Sequence, residues 1–261
     1  MTPFSEIQAF IPGLIAPNGR VALVTGGARR IGAVVVRALA SRGYSVAIHA
    51  NRSLREAREL AADLELAGVM SLAVTANMRE EGPVRAMVHR VTDHFGRIDA
   101  VVTCASIWNR GTLEEITADD MRAHYDVNCI GTFVTAQEAG AIMVHQETGG
   151  AIVTLGDWAT GRPSRDGAAY FSSQGAIPAM TRSLAVEFAA RNPRIRINCV
   201  LPGPVLLPAD LTPELRAEAL AGTLLKREGS PEHVAHAVLF LIENDFVTGI
   251  CLPVDGGRTI A

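Results

Sequence analysis

Short runs of apolar and β-branched residues alternate along this chain with longer stretches whose apolar positions recur every three or four residues. The runs are Val21–Thr25, Ser45–Ala50, Ser71–Thr75, Ala100–Thr103, Ala151–Leu155, Ile195–Val200 and Ile250–Val254. Helical patterning fills Arg29–Arg42, Ser53–Ala67, Glu80–Phe95, Ala118–Gln146, Ala168–Arg191 and Pro231–Leu241. Strands that are apolar throughout, with no polar alternation, belong in a parallel sheet covered by helices on both faces. The pattern therefore predicts an α/β fold, a doubly wound seven-stranded parallel sheet flanked by helices, in a single domain over residues 20–261. Two local signals sharpen the boundaries: Gly43 ends the first helix, and Ser230-Pro231 places an N-cap and a first-turn proline at the start of the last.

Composition adds mainly exclusions. With 261 residues, 48% of them hydrophobic, the chain can bury a sizeable core, and neither repeats nor a flexible linker mark a second domain. A net charge of −3 with arginines dispersed among acids argues against a nucleic-acid partner. The four cysteines, Cys104, Cys129, Cys199 and Cys251, form no CxxC pair and no zinc spacing, which fits reduced thiols of a cytoplasmic protein. Residues 1–19 read as a leading arm: the apolar patch Phe10–Ile15 is short, broken by Pro12 and lacks a preceding basic region. No run approaches transmembrane length. His233 and His236 lie three apart on a helix without a third ligand and read as surface residues, so no metal site is expected.

The first chemical signal follows the first strand. Thr25-Gly26-Gly27-Ala28-Arg29-Arg30-Ile31-Gly32 is a glycine-rich turn leading into a helix. Glycines permit close backbone approach, and the helix start presents free N–H groups to a pyrophosphate. A dinucleotide site selective for NAD usually carries an acid after the second strand. Here Asn51-Arg52-Ser53 stands there, with Arg29 in the turn, and guanidinium groups suit a 2′-phosphate. The expected cofactor is NADPH/NADP, the alternative being that Arg52 and Ser53 only cap and solvate the next helix.

Thr25, Gly26 and Gly32 at the positions of a TGxxxGxG turn, with Arg30 at its middle glycine, Asn128 in Asn128-Cys129-Ile130-Gly131, the Tyr170 segment, Pro202-Gly203 and Val254-Asp255-Gly256-Gly257 together resemble the short-chain dehydrogenase/reductase superfamily from residue 20 to the end, with its Rossmann-like fold. Within it the chain most resembles the pteridine reductases, through Arg29-Arg30, Asn51-Arg52-Ser53, Ser106 with Trp108, Asp157, and Pro202-Gly203-Pro204-Val205-Leu206-Leu207-Pro208. The resemblance implies further cofactor contacts at Gly26, Arg30, Ile31, Gly32, Asn77, Met78, Ala105, Ser106, Tyr170, Gln174, Pro202, Gly203 and Val205. It implies a small-molecule substrate touched by Arg30, Trp108, Asp157, Tyr170 and Leu206. Trp108 either stacks on that substrate or packs in the core. The resemblance also implies a homotetramer, or a homodimer, with Ala118–Gln146 and Ala168–Arg191 at one interface and the last strand and helix at another.

Tyr170 is then the expected proton donor, Asp157 its partner acid, and Asn128 a support for helix geometry or a water. Gln174, one helical turn beyond Tyr170, stands where the family places lysine. A glutamine hydrogen-bonds ribose but brings no charge to lower the phenol pKa. With Asp157 nearby, both departures keep Tyr170 protonated and bias the site toward reduction. The expectation is an NADPH-dependent reductase moving hydride to a C=N or C=O of a flat or cyclic substrate. The alternatives are a general carbonyl or 3-oxoacyl reductase, and a nucleotide-binding protein with little redox activity.

Overall fold

Seven short strands without a polar face can be buried only in the middle layer of a helix–sheet–helix stack. The computed structural model describes residues 19–207 and 211–261, so the expected leading arm lies, apart from Gly19, outside the described residues, as does Pro208. The strands are β1 (Val21–Thr25), β2 (Ser45–Ala50), β3 (Ser71–Thr75), β4 (Ala100–Thr103), β5 (Gly150–Leu155), β6 (Ile195–Pro202) and β7 (Cys251–Val254). All pair in parallel in the order β3-β2-β1-β4-β5-β6-β7. Successive residues of β1 divide between two cores. Ala22 and Val24 join the core under α1 (Arg30–Ser41), α2 (Leu54–Leu66) and α8 (Pro231–Glu243). Val21 and Leu23 join the core under α3 (Glu81–Phe95), α5 (Gly131–Val144) and α6 (Ala168–Ala189). The seven-stranded doubly wound architecture is as the hydrophobic pattern predicts.

Two elements differ from that pattern. The stretch expected as one helix over Ala118–Gln146 is α4 (Ala118–His124), a π-helical turn at Tyr125–Ile130, and α5. A helix over Pro213–Ala221, α7, was not expected. Its start is set by Thr212, which accepts from Leu215 N–H, and by Pro213 in the first turn. Among the described residues no helix is long and apolar enough to cross a membrane.

The strand order reverses beside β1. There β1 and β4 run side by side to Thr25 and Thr103, and β5 continues the row with Thr154. In open α/β sheets the crevice beyond the carboxyl ends at such a reversal is where ligands bind. The site described next occupies it.

Candidate active site

The turn after β1 is held so tightly that side chains are excluded from it. Gly26 has a φ of +64°, and a Cβ there would lie 2.9 Å from the Ala105 backbone. A Cβ on Gly32 would meet the Gly26 carbonyl oxygen at 2.2 Å. The turn delivers the chain into α1, whose N-cap residue Arg29 makes no side-chain cap and whose first turn carries no acid. An uncapped helix start facing a glycine cradle fits an anionic pyrophosphate.

The two arginines of the turn diverge. Arg29 pairs with Glu56 in the first turn of α2, beside Asn51, Arg52 and Ser53. Ser53 takes the N-cap position of α2 without a side-chain capping bond. Arg30, at a φ of +52°, instead reaches across the crevice and donates to the Leu206 carbonyl at 2.9 Å. One arginine therefore lies at the β2 end of the site and the other at its opposite end, over the segment after β6. Pro202 ends β6, Gly203 N–H donates to Val254 O at 3.0 Å, and Val205 bridges to Gly229.

His49 was not singled out from the sequence, and it holds this turn in place. The Gly26 amide can only donate, so His49 Nδ1 accepts from it at 3.2 Å; Nε2 then carries the proton and donates to Ala76 O at 3.1 Å. Burial holds the imidazole below its ordinary value, which keeps this neutral tautomer. The missed signal was a titratable residue inside an otherwise apolar central strand. Asn77 binds locally, donating to Glu80 at 2.6 Å, and the Met78 side chain is buried in the core, where Gly131 packs against it.

At the centre of the crevice Tyr170 Oη donates to Asp157 Oδ2 at 2.8 Å. Asp157 caps the short 3-10 turn Trp158–Gly161, its Oδ1 accepting from Ala159 N–H at 2.7 Å. Burial pushes both groups up: the Asp157 carboxyl by desolvation against two hydrogen bonds that lower it, the phenol by desolvation, then by the Asp157 charge. Both protonated forms are favoured. The Trp108 ring lies over Tyr170, 5.4 Å between centroids at an interplanar angle of 30°, with the Arg110 guanidinium 5.0 Å above its face. Trp108 is about half exposed, which decides against the core reading of its role.

A chain of side-chain bonds links the π turn to α6. Asn128 Oδ1 accepts from Ile107 N–H at 2.8 Å and Ser106 Oγ at 3.1 Å; its Nδ2 donates to Ser173 Oγ at 3.0 Å, which donates to Tyr170 O at 2.7 Å. Asn128 thus fixes the loop after β4 against the helix that carries Tyr170. The π turn aims Asn128 there, a common use of that irregularity at functional sites. Gln174 Nε2 donates to Ser106 Oγ at 3.1 Å, while its Oε1 is buried without a partner among the described residues. Pro178, inside α6 and four residues on, has no N–H for the Gln174 carbonyl. An unpaired buried acceptor is costly unless a ligand donor meets it.

Other side chains around the crevice are engaged elsewhere. Arg162 donates to the carbonyls of Arg258 and Ala261, away from Tyr170. Burial pushes the Cys104 thiol up to about 12, consistent with a packing role. His233 caps α8, accepting from Ser230 N–H at 2.9 Å, and among the described residues no cluster of three metal-ligating side chains occurs.

A partly buried carboxyl with a raised pKa has a stability signature. The folded state binds the Asp157 proton more tightly than the unfolded chain, so its contribution is present at low pH and is lost as pH rises through the folded value. Asp157→Asn keeps an acceptor for Ala159 N–H and offers Nδ2–H to Tyr170. It is expected to raise the Tm at neutral pH, by about 2–4 °C per kcal/mol recovered. The gain should vanish below about pH 4, where the wild-type carboxyl is protonated in both states. A pH-independent difference in thermal melts would contradict this.

The comparisons with known proteins agree with the geometry. Residues 26–259 match the family model described as enoyl-(acyl carrier protein) reductase. A 3-oxoacyl-[acyl-carrier-protein] reductase of Rattus norvegicus is 35% identical over 239 residues, 91% of this chain and 97% of that protein. A blue fluorescent protein from a metagenomic library, solved in complex with NADPH, superposes with a TM-score of 0.86 at 35% identity, covering 94% of this chain and 99% of its own. A short-chain dehydrogenase/reductase from Serratia marcescens gives a TM-score of 0.86 at 31% identity, covering 94% and 100%. With its family model matched over nearly the whole length and its relatives covered almost end to end, this chain belongs to the short-chain dehydrogenase/reductase superfamily of NAD(P)-dependent oxidoreductases.

Proposed function

We propose that the protein is an NADPH-dependent reductase acting on a C=N or C=O in a flat or cyclic substrate, close in its site to the pteridine reductases. The observation that carries this reading is the partly buried Tyr170–Asp157 acid pair beside the half-exposed ring of Trp108.

Gly26, Gly32 and the start of α1 fit the pyrophosphate, with Ile31, Ala105, Ser106, Asn77, Met78, Pro202, Gly203 and Val205 along the rest of the cofactor. Arg29, Arg52, Ser53 and Asn51 suit the 2′-phosphate, with Arg29 shared between Glu56 and that ligand. The Gln174 Oε1 acceptor suits a ribose hydroxyl donor, standing in the place of the family's lysine. When bound, the nicotinamide supplies the hydride.

The residues of this chain manage the proton. Because burial raises its pKa, Asp157 is protonated more readily than an ordinary carboxyl, and its O–H then donates to Tyr170 Oη. That turns the phenolic hydrogen toward the substrate atom on which negative charge develops. Tyr170 gives up its proton while accepting the one from Asp157, so a free phenolate need never form. The ionised carboxylate is reprotonated from solvent. A coupled pair of this kind offsets the weaker acidity of a phenol that has no lysine beside it.

The second reading, a 3-oxoacyl or general carbonyl reductase, is favoured by the description of the matched family and by the rat relative. Trp108 separates the two. Its ring offers a planar stacking surface, worth about 0.5–1.5 kcal/mol to a flat heterocycle. Trp108→Ala is therefore expected to lower kcat/KM for a dihydropteridine about two- to ten-fold more than for a 3-oxoacyl thioester. Equal losses on both would favour the thioester reading. NADPH oxidation across dihydropteridines, quinonoid compounds, small diketones and 3-oxoacyl thioesters tests the activity itself. A Tm raised by NADPH without turnover on any of these would instead leave a nucleotide-binding protein. For the assembly, we propose the homotetramer or homodimer of the family, and for location the cytoplasm.

A further inference from the structure

We propose that Arg258 is a positioning residue that locks the end of α7 to the turn carrying Asp157, with Gly222 leaving the room it needs. Because α7 buries none of its residues, apolar packing does not hold it in place. Polar contacts do. Arg216 pairs with Glu228, which also accepts from Leu207 N–H at 2.8 Å. At the far end of the helix Arg258 Nη1 donates to Ala219 O at 2.8 Å, where a cation meets the last carbonyls and the negative pole of a helix.

The same guanidinium lies 5.0 Å above the Trp158 ring. Trp158 opens the 3-10 turn that Asp157 caps. The other end of that turn meets the tail as well, through the bonds of Arg162 to the carbonyls of Arg258 and Ala261. Asp255 fixes the tail here, accepting from Gly257 N–H at 2.9 Å and Thr259 N–H at 2.7 Å. One side chain on a fixed turn therefore joins the helix that follows the Leu206 segment to the turn of the proton donor. All these contacts lie within one chain, so they need no exposed surface.

Gly222 is an independent sign of the lock. Its φ of −77° and ψ of −9° suit any residue, so the backbone does not call for glycine. A Cβ at this position, however, would fall on Arg258 Nη1. The missing side chain is the space that the guanidinium occupies.

The consequence for catalysis rests on the acid-pair reading of Tyr170 and Asp157. Asp157 faces the Tyr170 hydroxyl and the Ala159 N–H, burial is the main influence holding its carboxyl up, and no charged side chain acts on it. Releasing Trp158 admits water to the turn and so lowers the proton affinity of Asp157.

Arg258→Met keeps the bulk of the side chain and removes the bond and the charge. In the intact protein reducing a dihydropteridine with NADPH, the decline of kcat with rising pH is expected to move about one unit toward lower pH. Reduction above that decline should be about ten-fold slower, with NADP+ affinity unchanged. Gly222→Ala, which displaces the guanidinium from the other side, should give the same shift, and the double variant should go no further. Arg258→Lys, still able to donate to Ala219 O and to face Trp158, should recover most of it. Hydrogen exchange at short labelling times adds an arm without turnover. In Arg258→Met and Gly222→Ala, α7 and Trp158–Gly161 should both exchange faster, while light scattering gives the assembled mass of wild type. The proposal is overturned if either segment keeps its wild-type exchange, if the single effects add in the double variant, or if the assembled mass changes. It is overturned too if the pH limb stays in place in both variants while Asp157→Asn abolishes it. Faster exchange in both segments, together with an Asp157→Asn enzyme that keeps the wild-type pH profile, would leave the lock standing and sink the acid-pair reading instead.

Discussion

Tyr170→Phe is expected to lower kcat for NADPH-dependent reduction by about 10²–10⁴-fold, the usual contribution of a positioned general acid. The ring contacts to Trp108 and Phe171 survive the change, so the cofactor-induced rise in Tm should stay close to that of wild type. Asp157→Asn is expected to cost a similar factor, because the amide binds the phenol but holds no transferable proton. The double variant should fall little below either single one, since the two groups deliver one proton between them. Multiplicative losses in steady-state kinetics would show that they act separately. In wild type, reduction should decline as pH rises through the elevated Asp157 value, and Asp157→Asn should abolish that limb.

Gln174→Lys should change direction more than speed. A cation about 5 Å from the phenol, at an effective dielectric near 20, is worth roughly 3 kcal/mol, or about two pKa units. Alcohol oxidation, which needs a phenolate base, is therefore expected to rise by up to about 10²-fold below the phenol's ionisation, with its pH profile displaced downward. Reduction should change far less. The ammonium can donate to Ser106 Oγ, as the amide does, but it removes the acceptor that Oε1 provides. The variant should thus bind the ribose hydroxyls through donors alone. Rates measured in both directions against pH decide the matter, and an unchanged oxidation profile would sink the charge argument.

Much of this site could be read from the chain because its parts lie at fixed distances from strand ends. The apolar runs located all seven strands to within a residue or two, and strand ends then placed Gly26, Asp157 and Pro202 around one crevice. Tyr170 and Gln174 shared a helix face by their four-residue spacing. What escaped were features set by partners distant in sequence. His49 looks like one more residue of a buried strand until Gly26, on the neighbouring turn, supplies its donor. Arg29 and Arg30 look equivalent, yet backbone conformation sends one toward Glu56 and the other toward Leu206. The segment over Ala118–Gln146 carries continuous helical periodicity, and no breaker announces its π turn. The α7 start, by contrast, carries a legible signal in Thr212-Pro213, but its helix buries no residue and so lacks the apolar stripe that would mark it.

The π turn also stores a constraint of length. One residue of an α-helix corresponds to about 100° of rotation. The extra residue accommodated within Tyr125–Ile130 therefore lets α4 and α5 each keep their own seating, with Gly131 tight against Met78 and Asn128 turned to Ser106 and Ser173. Deleting any one residue from the turn would leave a backbone able to form an ordinary helix, yet with the two halves out of phase. Such a chain could seat α5 against α3 or present Asn128 to the crevice, but not both. At this point in the molecule the number of residues is as much a part of the site as their identities.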